Sequence, residues 1–461
     1  MRRRSLRAEK QLGSAVLSIL FVTSLLVFGV SAGVSGAADH VLASTSLSAN
    51  GEWPGVGKIC ETGTGGSSTV RGVGPKSLNI AVFNDASNTV EPGLEKEFVQ
   101  FANAFASWCN AAGGINGRHI VIHNRDAALF NAAQVANESC QSDFMAVGGG
   151  MALDQASVPV RVGCGLGEIT GYVVSDQSQT APLQVDTLAF NPNYVAAGFF
   201  AQLAKKYPSA VKKAAMGSQN VPQTVAEMRK IADAATVLGW QDQEFQIAPY
   251  ATSDWTPYVQ QLQSKGIEAV WPSDDINITP YLRAMSTQSF KPAFLLLGSQ
   301  FYNSQTISGL QGLGPLPPIY IESQWWPLEM ASQNPSTEQL IQVMHKYAKG
   351  DSVDFDDEDA ATSWLLWAKA ASACGASLTV SCVLNNATVK NWSAGGIAAP
   401  IAQLKLSNQG PVPSPCTLVL QAKASGFSYD KAVTQPTQSI WNCNPKNVVH
   451  LSAQQLAAIG G

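Results

Sequence analysis

Residues 77–126 read SLNIAVFNDASNTVEPGLEKEFVQFANAFASWCNAAGGINGRHIVIHNRD, and they set the architecture. Leu78 to Phe83 is a mostly apolar run of strand length, bounded by polar residues, as a buried strand requires. Leu94, Phe98, Phe101, Phe105 and Trp108 follow at spacings of four, three, four and three, which places them on one helix face. Gly113-Gly114 ends that helix, because glycine takes the backbone that helix C-termini favour. His119 to His123 then forms a second strand. The same alternation gives a helix near Ala132–Cys140, a strand at Phe144–Gly148, a short helix around Gln155 and a strand near Leu166–Thr170.

After Phe190-Asn191-Pro192 the series starts again. Val195, Phe199 and Leu203 mark a helix, and a short strand lies near Ala214-Ala215-Met216. Val225, Met228, Ile231, Ala235 and Leu238 line the next helix face, followed by a strand at Phe245-Gln246-Ile247. Asp254 is placed to cap a helix opening at Trp255-Thr256-Pro257. Ala269–Trp271 and Phe294–Leu297 complete the second strand set. Strand and helix in alternation give parallel sheets covered on both faces, so the expected fold is two doubly wound α/β lobes. Further on, Ile319–Ile321 is strand-like, Leu340, Val343, Met344 and Tyr347 share a helix face, and Ala361–Ala373 is helical with Trp364, Leu365 and Ala368 inward. Beyond Pro400 short strands and turns predominate, read as a return to the first lobe followed by a tail against the second.

The chain has 461 residues, 45% hydrophobic and 13% charged, with a formal net charge of −4. At roughly 100–200 residues per domain, that length suits two or three domains with a large buried core. No Lys/Arg cluster follows residue 10, which argues against nucleic acid as a partner. The basic start Met1-Arg2-Arg3-Arg4, the uncharged run Gly13–Val30 and the small residues Ser31–Ala38 form the order of a secretory signal, with cleavage expected after Ala38. The alternative is an uncleaved anchor, since that run approaches the ~20 residues that span a bilayer. In either case the remainder is expected outside the cytoplasm, touching membrane only through this segment. Residues 39–76, rich in Gly, Ser and Thr, read as a linker. Eight cysteines in an exported chain indicate disulfides: Cys60, Cys109, Cys140, Cys164, Cys374, Cys382, Cys416 and Cys443.

No catalytic constellation is visible: no G-x-S-x-G, no H-E-x-x-H and no G-x-x-x-x-G-K-[ST]. Neither a metal nor a cofactor is expected. Gly163-Cys164-Gly165-Leu166-Gly167 precedes a strand, whereas a dinucleotide loop follows one. Gly148-Gly149-Gly150 follows a strand and precedes a helix, so it either admits a ligand close to the backbone or makes a tight turn. His119 and His123 share a strand face without a Cys or His partner nearby, and a metal site there is disfavoured. Asp354, Asp356, Asp357, Glu358 and Asp359 precede a helix and read as solvated capping rather than calcium binding. Asp274-Asp275, at a strand's carboxyl end, either caps the next helix or meets a polar ligand.

The stretch Asn110-Ala111-Ala112-Gly113-Gly114-Ile115-Asn116-Gly117-Arg118, followed by a strand and Asp126, resembles the hallmark of the branched-chain amino-acid class of type I periplasmic binding proteins, the substrate-binding components of ABC importers. Asp254-Trp255-Thr256, Leu282-Arg283-Ala284-Met285 and Asn334-Pro335 support it, over roughly residues 77–445. The resemblance implies two lobes joined by three crossovers, expected near 184–191, 319–325 and 398–402, with the ligand held between them. Lobe 1 is then 77–187 with 323–399, and lobe 2 is 188–322 with 400–461. Positions matching the family's ligand-contacting loops are Asn84, Asp85, Gly150, Met151, Ala152, Thr170, Tyr172 and Ser175 in lobe 1. In lobe 2 they are Ser218, Gln219, Asp274, Asp275 and Gln300.

Two departures bear on the ligand. Similar amino-acid binders place a hydroxyl residue where this chain has Ala152, and an acid where it has Gln300. A buried charge without its counter-charge is costly, so the resemblance implies a small-molecule ligand other than a simple branched-chain amino acid. The implied role is non-catalytic: a solute-binding protein that delivers to ABC permease subunits, or a tethered or secreted sensory ectodomain of the same fold. In the 2-1-3-4 strand order that the resemblance implies, right-handed crossovers put the first helix on the face opposite the second and third. Cys140 then shares a face with Cys164, which leaves Cys109 for Cys60. Cys374 with Cys382, and Cys416 with Cys443, are close in sequence.

Overall fold

The computed structural model describes residue 47, residues 50–274 and residues 276–459. The leader expected at 1–38 lies outside the described residues, as does Asp275. Lobe 1 is built on a parallel sheet of β1 (Ser77–Asn84), β2 (His119–Asp126), β3 (Met145–Val147), β4 (Gly167–Thr170) and β5 (Gln184–Asp186), in the order β2-β1-β3-β4-β5. Helix α1 (Lys96–Ala111) follows β1, and α2 (Ala132–Ser142) follows β2. Phe98, Phe101, Phe105 and Trp108 are all buried, as their spacing predicts. The hallmark stretch makes the turn from α1 into β2. Asn110 fastens the two ends, its Nδ2 donating to the Ile120 carbonyl at 2.9 Å and its Oδ1 accepting from the Ile120 N–H at 2.8 Å.

Lobe 2 opens with β6 (Ala214–Gln219), α3 (Pro222–Val237), β7 (Asp242–Ala248), β8 (Ala269–Trp271), β9 (Phe294–Leu297) and β10 (Ile319–Ser323). These strands run parallel in the order β7-β6-β8-β9-β10. The chain then returns to lobe 1 as α4 (Pro335–Tyr347), α5 (Phe355–Ala373) and α6 (Val380–Ala387). Helix α5 is buried on every side from Asp357 through Ala368, wider than the single inward face expected. It lies against α1, α6, β3 and β4. From Ala360 onward it is largely apolar on every face, as suits an interior helix, whereas its first turns carry the acids Asp357, Glu358 and Asp359 into the same interior. Finally β11 (Cys416–Lys423) and β12 (Gly426–Tyr429) extend the lobe 2 sheet antiparallel.

Four expectations change. Residues 50–76 are folded rather than a linker: Glu52–Trp53 pairs with Gly57–Lys58, Trp53 and Ile59 are buried, and the Trp53 Nε1–H donates to Ser336 Oγ at 2.7 Å. The Gly/Ser composition concealed these isolated anchors. Val195 lies not in a helix but in a short strand, Tyr194–Ala196, paired with the tail strand Val448–His450; the helix begins at Gly198. A distant pairing partner overrides local propensity there. Asp254 sits one residue early: Trp255 holds the N-cap position, and Asp254 Oδ1 accepts from the Thr256 N–H at 3.0 Å.

The third crossover is also later than expected. At 397–400 the chain passes the hinge without leaving lobe 1: Ile401–Gln403 pairs with Lys390–Trp392, Ile401 and Leu404 are buried in the lobe 1 core, and Leu406 bridges Val185. The chain passes to lobe 2 only through 410–415. The three passages touch one another. Asn191 Nδ2 donates to the Pro411 carbonyl at 3.1 Å, Gln324 Nε2 to the Ser414 carbonyl at 3.3 Å, and the Ala399 N–H to the Gln324 carbonyl at 2.7 Å. Disulfides join Cys60 to Cys109, Cys140 to Cys164, Cys374 to Cys382 and Cys416 to Cys443, the pairing expected from the topology.

Candidate functional site

The carboxyl ends of both parallel sheets, where α/β folds bind ligands, carry the candidate residues. In lobe 1, Asn84 and Asp85 leave β1 fully buried. Asp85 is committed to its own scaffold: Oδ1 accepts the Leu129 N–H at 2.6 Å and Oδ2 the Ala152 N–H at 2.8 Å. Burial raises the Asp85 carboxyl above its ordinary value, and these two N–H donors oppose that rise. Asn84 Nδ2 donates to Asn124 Oδ1 at 2.6 Å. Gly148 to Gly150 make the tight turn after β3. Gly148 has φ +65°, and a Cβ at Gly150 would lie 2.6 Å from the Tyr172 ring, so packing already demands these glycines. Met151 is buried and Ala152 half-buried.

Thr170 ends β4, and its carbonyl accepts the Ser363 hydroxyl of α5 at 2.5 Å. Tyr172 donates its hydroxyl to Glu95 Oε1 and packs its ring 5.7 Å from that of Phe98. Ser175 is buried and caps the short helix Asp176–Gln179, accepting the Ser178 N–H at 3.2 Å.

In lobe 2, Ser218 and Gln219 end β6, both buried; Gln219 Oε1 accepts the Thr252 N–H at 3.4 Å. Asp274, beyond β8, accepts the Trp271 Nε1–H at 2.6 Å, and its carbonyl accepts Gln300 Nε2 at 2.7 Å, so Asp274 and Gln300 form one unit. Several contacts join the lobes directly, among them the Phe355 N–H of α5 donating to the Tyr302 carbonyl of lobe 2 at 3.2 Å. Gln223 Nε2, on the first turn of α3, donates to the Ala152 carbonyl at 2.5 Å. The Lys230 ammonium of α3 lies 2.5 Å from Asp176 of lobe 1 and 2.7 Å from Glu227 of its own helix. Burial pulls the Lys230 ammonium down, but Glu227 and Asp176 outweigh it and leave it raised.

The reading of Asp354–Asp359 as solvated is corrected. Asp354 does cap α5, in a reciprocal capping box with Asp357, yet Asp357, Glu358 and Asp359 are fully buried. Burial, then repulsion from Glu97, raises Asp354 to about 8. Burial likewise lifts Asp356, Asp357, Glu358 and Asp359 well above ordinary carboxyl values. At the first passage Asp186 rises to about 7 by burial, although its oxygens accept the Leu188 and Phe190 N–H groups at 2.9 and 2.8 Å. Glu95, buried before α1 on a left-handed backbone with φ 63°, is raised well above normal by burial and by Asp85 and Asp356.

Sequence reasoning missed Glu95, Asp186, Gln223 and Lys230. For the two acids a signal was present: residues 84–95, 148–152, 170–175, 186–191, 218–224, 249–254, 271–276, 298–303, 322–330 and 353–360, the strand-end, hinge and α5-entry segments, hold no Lys, Arg or His. Among the described residues, no group of three or more His, Cys, Asp or Glu side chains is arranged to hold a metal, and no helix is long and apolar enough to cross a membrane.

A sequence profile described as periplasmic binding protein matches residues 77–426. No curated protein sequence matches. Among solved structures, a leucine-binding protein LivK from Thermotoga maritima is similar, with TM-score 0.61 and 13% identity over 77% of this chain and 97% of that one. A fatty acid ABC transporter substrate-binding protein from Thermomonospora curvata gives 0.62 and 14% over 84% and 97%. The branched-chain amino acid transporter substrate-binding protein LivJ from Streptococcus pneumoniae, in complex with isoleucine, gives 0.61 and 13% over 77% and 100%. At these identities the likeness establishes the type I fold of two lobes and three crossovers, while the profile match spans most of the chain. The chain belongs to the periplasmic binding protein family.

Proposed function

We propose that this protein is an extracytoplasmic solute-binding component of an ABC importer, which captures a small molecule between its lobes and presents it to the membrane subunits. The observation that carries the reading is the meeting of the two sets of strand-end loops, joined by Gln223 to Ala152 and by Lys230 to Asp176, beside three adjoining passages. A solute touching both lobes binds the closed form better than the open form, and its binding energy shifts the population toward closure. The solute is not a simple branched-chain amino acid. Ala152 offers no hydroxyl to a carboxylate, and Gln300, bonded to the Asp274 carbonyl, supplies no anion to an ammonium. The residues described perform binding and enclosure, and no bond-making step is assigned to them.

Small-angle scattering across a solute panel tests the reading. Compaction with one class of solute, followed by stimulation of the cognate importer's ATPase, is expected. Unchanged scattering with every solute, or chemical turnover of one, overturns it. Tight calorimetric binding of leucine, isoleucine or valine overturns the exclusion of those ligands.

A further inference from the structure

Three elements of lobe 1 supply carboxylates whose charges act on one another: Glu95 before α1, Asp356 and Asp359 on the first turns of α5, and Asp186 at the first passage between lobes. Glu95 and Asp356 repel each other, as do Asp356 and Asp359, and Asp359 and Asp186. Asp359 is fully buried, and among the described residues neither of its oxygens has a hydrogen-bond partner. A second, separate element repeats this. Glu95, 4% exposed, spends Oε1 on the Tyr172 hydroxyl, while Oε2 has no partner among the described residues. The other charged neighbours acting on Glu95 and Asp356 are Asp85, Glu91, Glu97 and Asp354, all acidic. Lys96, next along the chain, pairs with Glu97 at 3.5 Å, its side chain 53% exposed.

We propose that the cleft binds an organic cation, an ammonium or guanidinium compound without a carboxylate, whose positive group is held by Glu95, Asp356 and Asp359. This rests on the solute-binding reading above and names the class of solute. A carboxylate-bearing solute has no basic side chain to receive it in the strand-end, hinge and α5-entry segments, so a zwitterion would leave one charge buried and uncompensated. A cation instead supplies the counter-charge that the buried oxygens lack. Without solute, desolvation and mutual repulsion favour the protonated carboxyls. Cation binding requires the ionised forms, so each binding event releases protons to solvent, and affinity rises with pH.

Titration calorimetry of the protein with spermidine, agmatine and choline, in phosphate and in Tris, tests this. At least one is expected to bind, with heats that differ between the buffers as released protons are taken up, and more tightly at pH 8 than at pH 6. Glu95→Gln and Asp359→Asn are expected to weaken binding roughly 30-fold or more, with unchanged circular dichroism. If either variant fails to fold, proton release by the unmodified protein decides, and cation binding without it overturns the proposal. Compaction by leucine, 4-hydroxybenzoate or glycerol but by no cation overturns the cationic assignment while leaving the solute-binding reading intact. Compaction by none of these compounds defeats both. Binding of calcium in place of the organic cations also overturns it.

Discussion

Asp85→Ala separates scaffold from ligand contact at a fully buried candidate. Both Asp85 oxygens are occupied by backbone N–H groups, Leu129 at 2.6 Å and Ala152 at 2.8 Å, which tie the loop after β2 to the loop after β3. Hydrogen bonds to a charged group contribute about 1.5–3 kcal/mol each, and desolvation of the carboxylate, visible in its raised pKa, offsets part of the pair. A net local loss of about 3 kcal/mol follows for Asp85→Ala, and less for Asp85→Asn, which keeps one acceptor. Amide hydrogen exchange read at Leu129 and Ala152 is expected to accelerate about a hundredfold in the alanine variant, with a lowered melting temperature. Unchanged exchange at both amides together with lost solute binding would refute the reasoning, since Asp85 would then be acting on solute.

Asp176→Asn removes the lobe-to-lobe ion pair while leaving Lys230 its Glu227 partner; with the Asp176 side chain 62% exposed, the loss is about 1 kcal/mol of closure, read as roughly fivefold weaker solute affinity at unchanged melting temperature. Without solute, the raised carboxyls of Asp186 (about 7) and Asp354 (about 8) keep protons that the unfolded chain releases near pH 4, so their contribution to stability is fullest below pH 4 and is lost as pH rises to about 8. Scanning calorimetry should therefore show a higher melting temperature at pH 5 than at pH 8, and a slope of the opposite sign would contradict the burial argument. Cys60→Ser with Cys109→Ser opens a link of sequence separation 49, a loss of about 4 kcal/mol by chain entropy, measured as earlier urea unfolding of lobe 1.

Legibility from sequence followed the range of the interactions. The helix face Phe98, Phe101, Phe105 and Trp108 and the strand Leu78–Phe83 were readable because period and apolarity are local properties. Val195 was misplaced because its partner, Val449, lies far along the chain. The hairpin at Trp53 was hidden because one tryptophan and one cysteine in a glycine-rich stretch carry no period. The acids at the start of α5 were recognised as caps, which is local, but their burial depends on α1 and the hinge packing over them. Ala152 and Gln300 were named from family positions. Their own hydrogen bonds, to Asp85, Gln223 and Asp274, depend on loops that only the folded chain brings together.

The late passage through 410–415 has a mechanical consequence. Pro411, Pro413 and Pro415 fix every second φ angle along this connection and withhold three amide donors, so it resists bending in its middle. The proposed rotation of one lobe against the other is then expected to concentrate at 187–193 and beside Gln324, which hold Pro411, Ser414 and Ala399 by single hydrogen bonds. Closure on a solute, as proposed above, is therefore expected to swing the jaws about a stiff spine rather than slide them past each other.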